Sequence, residues 1–142
     1  MRAAPAVVFA TKAELAGAVA QWMRDPIAAM ARYGHISDWD TRLITDMEGI
    51  FCGDSTAASK DFDATWCAEA NKRFDEDISR WNTAAVKTMR GMFYDAKSFD
   101  QDVSGWDMRA VADTSYMFHG ASAFSWDLSS WDIRGVTDMK CA

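Results

Sequence analysis

Apolar and polar positions alternate in one recurring phrase: a branched aliphatic, Ser, a variable residue, Trp, then Asp or Asn. The phrase sets Trp39, Trp81, Trp106 and Trp131, and its last three copies lie 25 residues apart. Trp81 is followed by an aliphatic, a Met, a second Met beside a Phe, then an Ala and a further Phe. The copy after Trp106 repeats this with Thr114 for the first Met, and those after Trp39 and Trp131 carry it in part. A repeat of this length cannot bury its own apolar face, so successive copies must pack on one another. That self-similarity predicts an α/β solenoid of about three and a half coils.

Within a coil the spacing predicts two elements. Met89, Met92, Phe93 and Ala96 fall at i, i+3, i+4 and i+7, and Met117, Phe118 and Ala121 restate the last three positions. This is one face of a helix, placed roughly at 88–96 and 113–121 with a partial equivalent at 47–52. Asp46, Thr88, Asp113 and Asp138 stand before these segments, where a side-chain oxygen can cap an orphan N–H. Ile36–Trp39, Ile78–Trp81, Val103–Trp106 and Leu128–Trp131 are the expected strands, stacked in parallel roughly 4.8 Å apart.

Residues 1–34 lack the repeat and read as an N-terminal helical cap. Thr11 with Glu14 forms a capping box before Leu15, Val19, Trp22 and Met23 on one helical face. Asp25-Pro26 ends that helix and starts another, whose apolar side is Ile27, Met30 and Ala31 and whose stop is Gly34. Residues 35–142 are the repeat region. Phe51 to Phe74 spans 23 residues where Phe93 to Phe99 spans six, which places an insertion at about 53–72 in the first coil. Met139 falls part-way into a fourth coil. The edge around Trp131, Val136 and Met139 is therefore expected to be covered by a partner or by further repeats.

Composition changes the picture in one respect. The apolar fraction is 49%, with seven Trp, eight Phe and nine Met, as a packed core requires, while the formal charge of -6 and the absence of a basic block speak against nucleic-acid binding. No apolar run approaches eighteen residues, so direct membrane insertion is not expected. No secretion signal is legible, so the compartment stays open.

The stretch WNTAAVKTMRGMFYDAKSFDQDVSGWDMRAVADTSYMFHGASAFSWDLSSWD closely resembles the BspA-like surface-protein repeats, a divergent branch of the leucine-rich-repeat solenoids. The likeness covers residues 35–142, and ELAGAVAQWMRDPIAAMARYGHISDWD is similar to the lead-in of algal and protist members. It implies a right-handed stack with one short strand and one short helix per coil. It also implies a role in cell-surface adhesion or protein–protein contact. A structural accessory subunit of a larger intracellular or organellar complex is the alternative.

The candidate contact residues are those whose registers face water. Trp126 occupies the position of Glu76 and Gln101, which makes it either a contact anchor or a side chain packed on its own C-terminal segment. Arg42, Arg109 and Arg134 share a register beside Asp40, Asp107 and Asp132, as a docking stripe for an acidic partner or as a ladder of exposed ion pairs. His119 takes the variable slot of Tyr94, and both join the contact set with Met139. Asp77, Asp102 and Asp127 align, either to hold calcium or to close turns on their own backbone. Cys52 and Cys67 are a candidate disulfide closing a loop of about 15 residues, with Cys141 left odd. Nucleophile elbows, phosphate loops and metal-binding His pairs are not legible, so a non-enzymatic module without cofactor is expected.

Overall fold

The computed structural model describes residues 7–56 and 62–140. Its chain opens with α1 (Lys12–Arg24) and α2 (Pro26–Tyr33). Thr11 caps α1 by accepting from the Glu14 N–H at 3.2 Å, and Asp25 caps α2 by accepting from the Ala28 N–H at 3.1 Å. Gly34, at φ +81°, closes α2. The apolar stripe of α1 buries Leu15, Ala16, Ala18, Val19 and Trp22. The expected stripe of α2 is not buried: Ile27 is 81% exposed, and the helix turns Ala29 inward instead.

The expectation of an α/β solenoid with a strand and a helix in each coil is overturned. Among the described residues α1 and α2 are the α-helices, and the repeats contribute only 3₁₀ segments at Ile36–Asp38 and Glu69–Arg73. Instead of strands there are isolated parallel bridges, Asp46 to Thr88, Thr88 to Asp113 and Asp113 to Asp138. The leucine-rich-repeat architecture inferred from the resemblance falls with it.

Backbone hydrogen bonds give the reason. In the segment read as a helix, every second N–H stays local: Met92 donates to Met89 O, Tyr94 to Gly91 O and Ala96 to Phe93 O. The alternate ones leave the repeat: Met89 donates to Asp113 O, Gly91 to Ser115 O, Phe93 to Met117 O and Asp95 to His119 O. Half of the donors that a helix would use internally are thus shared with the adjacent copy. Gly91 (φ +59°) and its equivalents Gly49 (φ +66°) and Tyr116 (φ +60°) sit in the left-handed region, which an α-helix does not admit. Met89, Met92, Phe93 and Ala96 still all point inward, so their spacing reported burial correctly and conformation wrongly.

The expected strands are turns for a similar reason. The Trp81 N–H donates to Ile78 O, Trp106 to Val103 O and Trp131 to Leu128 O. Asp77, Asp102 and Asp127 accept from the N–H two residues ahead, at 2.9 Å in each case. A carboxylate that captures its own backbone in this way favours a turn over a ladder. The capping assignment of Asp46, Thr88, Asp113 and Asp138 changes likewise. Each bonds the N–H two residues on, and what it stabilises is a turn.

Adjacent copies meet through aromatic rows. Phe51, Phe93 and Phe118 are spaced at 5.5 and 5.4 Å, and Phe74, Phe99 and Phe124 at 5.8 and 5.9 Å. The two rows touch within each repeat at 4.1–4.2 Å. Each indole N–H reaches back one copy: Trp81 to Ile36 O, Trp106 to Ile78 O and Trp131 to Val103 O, at 2.8–3.0 Å. Trp suits this position because it fills the apolar row and carries one donor to satisfy a buried carbonyl. Trp22 of α1 packs edge-on against Trp39 at 6.0 Å, seating the N-terminal helix on the first copy.

Candidate functional site

Following the buried registers along the chain leads to an uncovered surface. Met47 and Met89 are fully buried, whereas Met139 in the same register is 54% exposed. Thr41, Thr83 and Met108 are buried, and Ile133 after them is 42% exposed. Phe118, Phe124, Leu128, Trp131 and Val136 are half-buried where their counterparts are buried. Together they form one apolar face made of core-type side chains.

Of the residues singled out from sequence, Met139 belongs to this face. Trp126 is 46% exposed, and its indole N–H donates to Asp100 O at 3.0 Å. It keeps the backward reach of Gln101, whose amide bonds Asp75 in the same manner. An exposed ring with a satisfied donor is thus held in a fixed pose.

Arg109 and Arg134 each fork onto their own repeat's carboxylate, Asp107 and Asp132, with Nε and Nη2 at 2.7–3.0 Å. These bonds from the guanidinium hold both carboxyls down at about 2. Arg42 lies farther from Asp40, at 3.4 Å. The guanidiniums stay exposed at the surface, where solvent screening leaves such pairs little weight in stability.

Tyr94 and His119 are brought together, their rings stacked at 4.9 Å. Phe62, from the insertion, lies over Tyr94 at 5.3 Å, so this patch is partly roofed. Lys12 ties the same loop down by bridging Asp63 at 2.7 Å and Asp46 at 3.2 Å. Burial alone would raise the Asp63 carboxyl, but the bonds from Lys12 and Thr65 outweigh it and the net shift is downward. Burial and the neighbouring Asp46 push Glu48 up.

Cys52 and Cys67 are joined by a disulfide, their Cα atoms 4.5 Å apart. Cys141 lies outside the described residues. The aligned aspartates do not converge: among the described residues no group of three or more His, Cys, Asp or Glu is placed to hold a metal ion. No helix among them is long and apolar enough to cross a membrane. Leu128, Ile133, Phe118 and Phe124 were missed as surface candidates. The signal was their register, since they hold the positions that are buried in the preceding copies.

The family model described as Mycoplasma protein of unknown function, DUF285, matches residues 7–142. No curated protein and no solved structure matches the chain.

Proposed function

The chain belongs to the DUF285 family, whose description assigns no role, and on the geometry above we propose that it is a non-enzymatic protein-contact or adhesion module of the BspA-like type. The observation that carries this reading is the face containing Ile133, Val136 and Met139, where side chains of core registers stand partly uncovered. Contiguous apolar surface of that kind marks an interaction site. Trp126, pinned by its bond to Asp100, adds a pre-oriented aromatic anchor. The Asp–Arg pairs at Arg109 and Arg134 supply a charged surface that steers encounter more than it adds affinity. The Cys52–Cys67 bond fits an oxidising compartment, as adhesion requires.

A photo-crosslinking amino acid placed at Met139, in protein expressed in its native source, tests the reading. The expected result is a covalent adduct with another polypeptide, diminished when Ile133 is changed to Asp. Adducts confined to the chain itself, or equal adducts from a crosslinker at Ala84, would remove this face from consideration.

A further inference from the structure

At the opposite end of the aromatic rows, α1 and the Glu69–Arg73 turn leave a cleft of about 430 Å³ between them. Val19, Ala20 and Met23 of α1 line it together with Ile50 and Trp66. Its volume suits one large apolar side chain with its flanking backbone.

Two features make it more than a hydrophobic hollow. Asn71 lies in its lining and is only 3% exposed. Its Nδ2 donates to Cys52 O at 3.0 Å, and its Oδ1 is not sealed from solvent, since among the described residues no buried side-chain nitrogen or oxygen lacks a partner. A solvent-accessible amide oxygen on a side chain fixed in this way is an acceptor that a ligand N–H can take over from water. Arg24 and Arg73 also line the cleft, and neither forms an ion pair among the described residues. In a chain of net charge -6, two arginines without an ion pair in the lining of one cleft are complementary to an anion.

We propose that this cleft captures the C-terminal residue of a partner polypeptide. The apolar side chain fills the space beside Val19 and Trp66, the residue's N–H donates to Asn71 Oδ1, and its α-carboxylate accepts from Arg24 and Arg73. This is the carboxylate-capture mode of peptide recognition, built here from arginines. A chain terminus is favoured over a free acid because the opening continues past Met23 and Arg73. There it meets a second hollow lined by Trp22, Pro26, Phe74 and the acidic Asp75 and Glu76, which has room for the preceding residues. The site is separate from the face around Met139 and does not depend on it.

The test is titration of the full chain with the peptide acetyl-Lys-Phe-Gly-Leu, as free acid and as carboxamide, followed by calorimetry and by the Trp66 indole signal in NMR. The free acid is expected to bind about tenfold more tightly than the carboxamide and to shift the Trp66 signal. Arg24→Gln combined with Arg73→Gln removes that difference. Both arginines are exposed, so this variant folds. Ala20→Trp, at an exposed position of α1, fills the cleft and abolishes binding of both forms while the melting temperature is retained. N-acetylleucine binds about tenfold more weakly than the peptide, and Met139→Asp leaves peptide binding unchanged. Equal affinity for acid and carboxamide, or binding that survives Ala20→Trp, overturns the proposal. Binding of N-acetylleucine as tight as that of the peptide overturns the assignment to a polypeptide terminus.

Discussion

Removing the ring of Trp106 separates the two tasks that the fold assigns to an indole. Trp106 is 4% exposed, lies 6.2 Å from Phe93, and donates to Ile78 O at 3.0 Å. Truncation to Ala deletes a buried aromatic from the middle of the rows, which costs about 3–5 kcal/mol. In a chain of this size that lowers the melting temperature by roughly 10–15 °C. Trp106→Phe keeps most of the apolar filling and loses the donor. Ile78 O also accepts from the Trp81 N–H at 3.1 Å, so the carbonyl is not orphaned and the expected cost is only about 1–2 kcal/mol. Trp131, half-buried at the uncovered face, makes the equivalent bond to Val103 O, and Trp131→Ala is expected to cost less than Trp106→Ala. Urea unfolding followed by circular dichroism gives the three values. If Trp106→Phe cost as much as Trp106→Ala, or if Trp131→Ala were the most damaging, burial in the rows would not be what these indoles contribute.

Three further outcomes are expected. At Gly49, in the left-handed region, an added Cβ would lie 2.3 Å from Asp63 O, so Gly49→Ala costs about 1–3 kcal/mol. Gly105→Ala, with open space around it, is close to neutral; similar melting temperatures for the two variants would contradict this placement of the insertion. Reducing the Cys52–Cys67 bond, which spans 15 residues, lowers stability by about 3 kcal/mol in the chain-entropy account, measured by thermal unfolding with and without reductant. Asp107 and Asp132 titrate at about 2 instead of 3.8 because Arg109 and Arg134 bond their ionised forms. A depressed carboxyl stabilises the folded state above its unfolded pKa, and that contribution is lost as pH falls from about 4 towards 2. Arg109→Ala moves the Asp107 midpoint up towards 3.8, incompletely because the backbone bond at residue 109 remains, as carbon-detected NMR titration of the carboxyl reads directly; an unmoved midpoint would refute the pairing.

Capping chemistry made the N-terminal helices legible. Thr11, Asp25, Pro26 and Gly34 act within a turn of where they stand, so their meaning does not depend on what packs nearby. The buried rows were legible as well, because a 25-residue period reports which side chains must be inside. Two things misled. The helical spacing of Met89, Met92, Phe93 and Ala96 also fits successive turns that bury the same residues, and the glycine at position 91 was the local sign that no helix runs through. The short aliphatic-to-Trp segments were read as strands although in three of the four an Asp two residues before the Ser offered a turn. At the candidate surface, Met139 was recognisable by register and Trp126 by its departure from Glu76 and Gln101. The cleft between α1 and Glu69–Arg73 was not, since it is assembled from segments about fifty residues apart and one of them lies in the insertion.

The amino-acid order by itself therefore determined which residues are interior, where α1 and α2 begin and end, and that copies of the repeat must lie against one another. Those properties follow from side-chain periodicity and from contacts within a few residues. Only the tertiary structure decided that the repeats are turns, that Arg109 and Arg134 close onto their own carboxylates, and that Asn71, Arg24 and Arg73 line one cleft. The backbone conformation depended on where each N–H finds its acceptor. Here every second one finds it in the neighbouring copy, a partner that local sequence does not specify.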